Sequence, residues 1–502
     1  MNRSKSKAAD GRLRRRTGAG QIRRNCSPLT GMAPRRCSGW HRTTEPAELR
    51  LNGRGLLFVA TLVFLAVTAI PAAAAGSAQE AARLKSVLTP MGAERAGNKA
   101  GTIPAWSGGY TNAAAARGGG IRPDPFGGEK PLFSITVKNV QSYGDNLPEG
   151  AKVLFRKYPD YRMDIYPTHR SAAFPASVYE NISRNTARAH AASEGIAYGV
   201  DGAAGGVPFP IPKSGAEVVW NHLLAYWGPA RELHVNTYVI SPDGTRALSS
   251  GYNEVADFPY YYPGATPTSY GGYYFKTRQI QDAPPAAVGQ GYLDWQPIDT
   301  ARYKFAAWRL LPGERRVRRG PSLSYDVPDP NASGFENLDE YYIFFGGPDR
   351  YDWKLLGKKE MYVPYDNNRF YARPETEVMG PKHANPDDLR YELHRVWVVE
   401  GTLASGKHHI APRRRLYVDE DTWLALYSDS WDESGKLWKF AHATTYLMPD
   451  VPALILGSQF VYDFDLGGYV FGFAFNGSGY RIAAPHPAST YSPEALAAQA
   501  VR

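Results

Sequence analysis

Cysteine is nearly absent from this chain of 502 residues, which contains two, Cys26 and Cys37. Both lie close to the start, so the long sequence after them has no thiol. Disulfide bonds therefore do not hold that part together, no disulfide partner is expected, and a cysteine nucleophile is excluded there. A chain of this length buries a large apolar core without such cross-links.

Signatures of the common enzyme classes are missing as well. No G-x-S-x-G, H-E-x-x-H, G-x-G-x-x-G or P-loop pattern occurs, which argues against the hydrolases, metalloproteases and nucleotide-binding proteins that carry them. His408 and His409 are adjacent on a predicted strand and point to opposite faces. The acidic run Asp419–Asp421 is interpreted as a polar hairpin turn rather than a calcium site. We therefore predict no catalytic residue, no metal and no cofactor.

Positive charge is concentrated at one end of the sequence. Residues 1–54 hold fourteen of the 58 basic side chains but only three of the 48 acidic ones, so the rest of the chain is close to neutral. Without this segment, the chain lacks the excess positive charge that binds the phosphates of a nucleic acid, so no nucleic-acid partner is predicted. Residues 1–50 show no periodicity and are interpreted as a disordered extension or as the product of a start site assigned too far upstream.

An uncharged apolar stretch follows this basic segment. Residues 55–75 read GLLFVATLVFLAVTAIPAAAA and end in small side chains. A basic, an apolar and an A-x-A segment in this order indicate a secretory signal peptide, assigned to residues 51–75 with cleavage after Ala75. A membrane anchor is the alternative, but the alanine run suits a cleavage site better. The protein is therefore expected in the periplasm, with association to the outer membrane left open.

The next part of the sequence predicts a short helix and then a long arm. An amphipathic pattern over 78–88 ends at Pro90, and Gly- and Pro-rich stretches continue as far as residue 212. Such composition is typical of extended segments that wrap a scaffold. We interpret residues 76–212 as an N-terminal helix and arm.

Beyond the arm, a helix gives way to strands. Ser214 and Glu217 form a capping box that opens a helix, and from about residue 233 the apolar period becomes two. Four strand-like runs over 389–447 predict an antiparallel meander. We predict an α+β fold in which a large, strongly curved antiparallel β-sheet, an incomplete barrel covered by a few helices, spans residues 213–480. A C-terminal tail over 481–502 follows it.

Two patches are candidate ligand-binding positions. In the first, Trp308 and Leu310 precede a hairpin that carries Arg316 and Arg318. A guanidinium group that faces inward beside an aromatic ring pairs well with a carboxylate or a phosphate head group. The alternative is a solvated hairpin with surface ion pairs.

The second patch is one face of a predicted strand, where Tyr391, Leu393, Arg395 and Trp397 alternate with other residues. Most such faces are ordinary core. In a curved sheet that helices cover incompletely, however, an aromatic face lines an apolar cavity. Arg395 interrupts the apolar face and is a second candidate for an inward cation.

Several segments, taken in order, resemble a known bacterial family. They are LTPMGAERAGNKAGTIPAWSGG (88–109), AEVVWNH (216–222), WRLLPGERRVRRGP (308–321), YDWKLLGKKEMYVPY (351–365), RYELHRVWVVEGTL (390–403) and RRRLYVDEDTW (413–423). With them the chain resembles the domain-of-unknown-function 1329 family over essentially its whole length after the signal peptide. The resemblance implies a fold similar to the LolA/LolB group of lipoprotein carriers, with helices covering a hydrophobic cavity. It implies no catalytic residue.

The resemblance also implies a setting and a function. Such proteins are often labelled outer-membrane lipoprotein-sorting proteins and are expected beside RND-type exporters and outer-membrane proteins. We therefore predict a non-enzymatic periplasmic carrier or chaperone for a lipid, a lipoprotein acyl chain or another hydrophobic ligand. The long arm, absent from a minimal carrier, is expected to fill or cover the cavity, which weighs against acyl chains.

Two other functions stay open at this stage. One is an envelope scaffold that docks onto an exporter or outer-membrane partner without carrying a ligand. The other is an enzyme acting on envelope glycans, which requires paired carboxylates in a cleft.

Overall fold

The protein is described as a computed structural model over residues 72–113, 120–311, 313–314, 316–320 and 325–501. All of these belong to one unit, Ala69–Arg502. The upstream extension and most of the predicted signal peptide lie outside the described residues. In the described part, helices α1 to α7 span Ala72–Arg83, Glu149–Lys157, Ala176–Arg188, Gly215–Leu223, Asn368–Tyr371, Glu375–Val378 and Pro493–Ala497.

Strands make up most of the regular structure. Strands β1 to β9 span Phe133–Ile135, Met163–Ile165, His190–Ala191, Val200–Asp201, Ala230–Ile240, Arg246–Asp257, Tyr273–Ala283, Gly291–Pro297 and Ala306–Leu310. Strands β10 to β18 span Val317–Arg319, Tyr351–Pro364, Tyr391–Leu403, Arg413–Asp419, Ala425–Trp431, Leu437–Met448, Ala453–Asp463, Tyr469–Ala474 and Arg481–Ala483.

Sixteen of the described strands form one curved sheet, as the sequence predicts. Its order is β1-β2-β12-β13-β14-β15-β16-β17-β5-β6-β7-β8-β9-β10, with β11 paired to β12 and β18 to β5. The pairs are antiparallel except for a short parallel contact between β2 and β12. The predicted meander is confirmed in β12 to β15. The pairing of β17 with β5 joins the late strands to the early ones, so distant parts of the sequence share one surface.

Local signals explain where α4 begins. The Ser214 hydroxyl accepts a hydrogen bond from the Glu217 backbone N–H at 3.3 Å, the cap that the sequence predicts. Every residue of α4 except Glu217 is buried. The His222 ring bridges two elements, since its Nδ1 accepts from the Ala425 N–H and its Nε2 lies 3.1 Å from the Phe344 carbonyl oxygen. Helix α4 thus packs between the sheet and the segment that contains Phe344.

The two faces of the sheet are covered by different parts of the chain. On one face, the Asp429 carboxylate accepts hydrogen bonds from the first two N–H groups of α2. On the other face lies the inner segment, defined as residues 325–347, which bonds to the Gln459 side chain through the Ile343 N–H. At β8 to β10, the face opposite the inner segment is covered by the C-terminal tail, whose Tyr491 and Leu496 pack on the sheet.

The predicted arm contains more regular structure than its composition indicates. It supplies α2 and α3 and adds β1 and β2 to the edge of the sheet beside β12. Side chains such as Leu154, Phe155 and Ile182 from these helices are buried in the main core. The arm is therefore an integral layer of the fold.

Candidate functional site

A cavity of about 90 Å³ lies between the inner segment and strands β6 to β8. A smaller cavity of about 20 Å³ adjoins it and shares Phe275, Tyr342 and Phe345 with it. The sheet and the inner segment both contribute walls to the larger cavity. Its lining consists of Glu254, Phe275, Thr277, Gln279, Tyr292, Asp294, Asp329, Pro330, Asn331, Leu338, Tyr341, Tyr342, Phe345 and Phe473.

Aromatic rings form much of this wall. The rings of Tyr342 and Phe473 are stacked with centroids 4.4 Å apart, and the ring of Tyr341 meets Phe473 edge-on at 5.2 Å. Phe275 and Phe345 make a second edge-to-face pair at 5.7 Å. Such pairs are stable arrangements of aromatic quadrupoles, so the wall is preformed.

Backbone strain is concentrated at the same place. Tyr342, Ile343 and Phe473 have φ angles of 52°, 74° and 54°. These lie in the left-handed region, which residues other than glycine rarely adopt. For the β-branched Ile343 the conformation is especially unfavourable. Strain of this kind persists only where the surrounding structure holds it, and it is found most often at binding and catalytic sites.

One buried carboxylate at the cavity is neutralised by a base from the adjoining cavity. The Arg231 guanidinium donates to Glu254 Oε1 at 2.8 Å, and the Gln279 amide donates to Glu254 Oε2 at 2.9 Å. Arg231 also donates to the Tyr342 hydroxyl. Both charged side chains are at most 3% exposed. The pair is therefore satisfied within the protein.

Two further carboxylates at the cavity have no such partner. Asp294 accepts one hydrogen bond, from the Gln296 amide at 2.6 Å, while its Oδ1 has no partner among the described residues. Burial raises the pKa of Asp294 to about 7 and that of Asp329 to about 6. No cation of the described chain contributes to either pKa. The cavity thus combines apolar walls with uncompensated acidic groups.

None of the eight ligand-binding residues predicted from the sequence lines this cavity. Trp308 and Leu310 lie on β9 with their side chains toward Tyr491 and Leu496, on the opposite face of the sheet. The reason is register: Trp308 pairs with Leu293, which alternates with the cavity residue Asp294. Their role in ligand binding stays a prediction.

The arginines of that hairpin are at the surface. Arg316 and Arg318 are exposed, and Arg318 pairs with Glu314 at 2.9 Å. This is the solvated hairpin that the sequence offers as the alternative to an inward cluster.

The second predicted patch lies on β12 under the N-terminal arm. Arg395 is buried and donates to the Ala96 carbonyl oxygen at 3.1 Å and to Glu420 Oε1 at 3.3 Å. The Trp397 ring stacks on Trp423 at 6.2 Å, while Leu393 is half-buried and Tyr391 is fully buried. The arm therefore covers this patch rather than the aromatic cavity.

A charge network holds the arm at this end of β12 and β13. It consists of Arg170, Lys358, Arg395, Glu420 and Asp421. Arg170 donates to both oxygens of Asp421, at 2.8 and 2.6 Å, and Lys358 donates to Glu420 at 2.6 Å.

The acidic run forms the turn between the antiparallel strands β13 and β14, as the sequence predicts, but the turn is buried rather than solvated. Asp419, Glu420 and Asp421 are 0%, 2% and 3% exposed, whereas a polar turn would be solvated. Bases that are distant in the sequence, on the arm and on β11, make the burial favourable.

Part of this region has the residue types of a metal site. Atoms of His394, Asp419 and Asp421 lie within 4.8 Å of one another. Both oxygens of Asp421 are bound by Arg170, however, and His394 Nε2 lies 3.1 Å from Glu392. Burial raises the pKa of Asp419 to about 7. Asp421 and His394 are thus held by Arg170 and Glu392, while Asp419 Oδ1 has no hydrogen-bond partner among the described residues, and the absence of a metal stays a prediction.

Sequence reasoning missed the residues that line the cavity. The inner segment has neither a helical nor a strand period, and its one signal is the aromatic run Tyr341–Phe345. On β8, Tyr292, Asp294 and Gln296 alternate with apolar residues, which marks a polar face but not one inside a cavity.

Fold and site together define a class of protein in which a curved antiparallel sheet and an inner segment enclose an aromatic cavity, while a helix lines the smaller cavity beside it. This arrangement is suited to binding an apolar molecule. None of the helices in the described part of the chain combines the length and the apolarity that a membrane crossing requires.

The chain belongs to the DUF1329 family of proteins of unknown function, whose model matches residues 134–497. It is 39% identical over 413 residues to the uncharacterized protein PA3922 of Pseudomonas aeruginosa, covering 81% of this chain and 90% of that protein. The resemblance stated from the sequence is thereby confirmed.

Solved structures are similar to about half of the chain. A DUF1329 family protein from Desulfovibrio piger has 16% identity and a TM-score of 0.38, with 54% of this chain and 92% of that one covered. The LolA superfamily protein NE2245 from Nitrosomonas europaea has 11% identity and a TM-score of 0.32, covering 56% and 98%.

Proposed function

We propose that this protein is a non-enzymatic periplasmic carrier that holds a hydrophobic ligand in the aromatic cavity. The observation that carries the proposal is the cavity itself, which is walled by preformed ring pairs such as Tyr342 with Phe473. Its volume of about 90 Å³ suits a ring or a short alkyl segment of a ligand rather than a whole lipid.

The state of the cavity supports a carrier over a scaffold that handles no ligand. The buried Asp294 oxygen without a partner and the left-handed backbone at Tyr342 and Ile343 each destabilise the fold. A protein with no ligand gains nothing from keeping both around a void, because a packed apolar core is more stable.

The predicted signal peptide supports a periplasmic location. The sequence resemblance supports an RND-type exporter or an outer-membrane protein as the partner that supplies or accepts the ligand.

An enzyme acting on glycans is the second candidate, favoured by one observation. Asp294 and Asp329 have raised pKa values in an aromatic cavity, and such carboxylates are typical of general acids. Turnover of a glycan that Asp294→Asn abolishes would replace the carrier proposal.

The carrier proposal is tested by filling the cavity. Thr277 is a buried lining residue on β7, and Thr277→Phe places a ring in the space, whereas Thr268→Phe makes the same change on an exposed turn. Binding of the neutral fluorescent probe N-phenyl-1-naphthylamine is measured for the wild type and both variants, with circular dichroism to check the fold. We expect Thr277→Phe to weaken binding about tenfold or more, equivalent to about 1.4 kcal/mol, and Thr268→Phe to leave it unchanged.

Two results would overturn the proposal. One is a wild-type protein that binds no apolar probe. The other is a folded Thr277→Phe variant that binds the probe as well as the wild type does.

A further inference from the structure

We propose that the ligand carries a cationic nitrogen, which binds beside the Asp294 carboxylate among the aromatic rings of the cavity. This inference rests on the proposed function and names the chemical class of the ligand: an apolar amine or ammonium compound rather than a fatty acid or a plain hydrocarbon.

The first argument is the unpaired oxygen. Asp294 is 8% exposed, lines the cavity, and has one oxygen bonded to Gln296 and the other with no partner among the described residues. A buried carboxylate oxygen without a donor is unfavourable. A hydrocarbon in the cavity would leave this oxygen without a donor, whereas a ligand N–H group would donate a hydrogen bond to it and a cation would pair with it.

The second argument is the balance of charge. The lining contains three carboxylates, Glu254, Asp294 and Asp329, and its described members include no lysine, arginine or histidine. Arg231 neutralises Glu254 alone. Two acidic groups therefore face the space without a base among the described lining residues. An anionic head group would meet like charge there, and a cation would meet opposite charge.

The third argument is the adjoining cavity, where the chain supplies such a cation itself. The Arg231 guanidinium lies within 6 Å of five ring centroids, including those of Phe275 and Tyr342, and pairs with Glu254. Ring faces attract cations. The larger cavity repeats this combination of rings and a buried carboxylate, and it shares Phe275 and Tyr342. No described lining residue takes the place of the arginine. Arg309 lies over the ring of Tyr292 at 5.3 Å but contributes to the pKa of neither Asp294 nor Asp329, so we assign the cation to the ligand.

The pKa values agree with this geometry. Burial without a neighbouring cation raises the pKa of Asp294 to about 7 and that of Asp329 to about 6. A cation bound between them would favour the ionised forms.

The test compares three probes of one chain length: octylamine, octan-1-ol and octanoate. Each displaces N-phenyl-1-naphthylamine from the full-length protein at pH 8. We expect octylamine to displace it at a concentration about tenfold lower than octan-1-ol, with octanoate the weakest of the three.

Variants then assign the preference to the carboxylate. In Asp294→Asn the advantage of octylamine over octan-1-ol is expected to fall to about twofold or less, while octan-1-ol binding changes little. The matched control is Asp352→Asn, an exposed aspartate on β11. It should keep the wild-type preference, and Asp329→Asn should reduce it in part.

The outcomes separate this inference from the proposed function. If the naphthylamine probe does not bind, the carrier proposal itself fails. If it binds and is displaced equally by all three compounds, or if Asp294→Asn keeps the preference for the amine, the carrier stands and the cationic class is wrong.

Discussion

The charge network and the aromatic cavity are both built from buried carboxylates beside aromatic rings, yet they differ in where the balancing charge comes from. In the network, Arg170 and Lys358 bind Asp421 and Glu420 at 2.6 to 2.8 Å. In the cavity, Asp294 and Asp329 have no basic partner in the described chain. The same residue types fasten one part of the fold and, in the other, stay without a charge partner in the described chain.

The difference follows from the arm. Arg170 lies on the predicted arm, and the arm segment that contains Glu94 accepts a hydrogen bond from it at 2.7 Å. No described residue of the arm lines the cavity, whose walls come from the sheet and the inner segment. Removing the base from a paired buried carboxylate destabilises the fold, and a buried carboxylate without a base is itself unfavourable.

The largest effect is expected from breaking the network. Arg170→Met leaves Asp421 buried without its base, which should lower the free energy of unfolding by about 3–5 kcal/mol. Denaturant unfolding at pH 7 measures it, and hydrogen exchange should show lost protection in residues 88–96. Arg184→Met removes an exposed pair with Glu180 and should change stability by less than about 0.5 kcal/mol. Equal effects of the two variants would contradict the structural role of the network.

An opposite and smaller effect is expected in the cavity. Burial raises the pKa of Asp294 to about 7 from an unfolded value near 3.8, so ionisation favours the unfolded chain as pH rises between these values. Asp294→Asn should therefore raise stability by about 1–3 kcal/mol at pH 8 and by little below about pH 4. Thermal unfolding at both pH values measures this. A variant that is less stable than the wild type at pH 8 would show that Asp294 stabilises the folded protein.

The smallest effect is expected at the exposed hairpin. Arg318 is 66% exposed and pairs with Glu314, so Arg318→Ala should change stability by less than about 0.5 kcal/mol. Displacement of N-phenyl-1-naphthylamine by octylamine should be unchanged as well. Weaker displacement in this variant would support the sequence-based prediction that the arginine hairpin binds the ligand.

Local signals account for the parts of the fold that were predicted. The Ser214 hydroxyl caps the start of α4 because it lies within one turn of the N–H three residues on, whereas the Glu217 carboxylate accepts from the Lys213 N–H rather than from Ser214. Alternation of apolar residues over 389–447 predicts the meander, because strand side chains have a period of two.

The candidate site was not predicted, because its residues come together only in the sheet. Trp308 was a candidate ligand-binding residue and lies on the face of the sheet opposite the cavity, since periodicity separates two faces without saying which one lines a cavity. In the sequence, Asp294 is one polar residue among alternating apolar ones, which does not mark it as part of a cavity. The pairing of β17 with β5 brings Phe473 into the same cavity as Asp294.

The sequence by itself determined the near-neutral, thiol-free character of the chain after its basic start, the dominance of strands and the family. These follow from composition, short-range periodicity and order of segments, which need no tertiary contacts. The tertiary structure decided which carboxylates are neutralised. Asp421 meets Arg170 across 251 residues of sequence, and Asp294 meets no base in the described chain. The pKa of a buried carboxylate and its contribution to stability depend on its neighbours, so this distinction arises only in the folded protein.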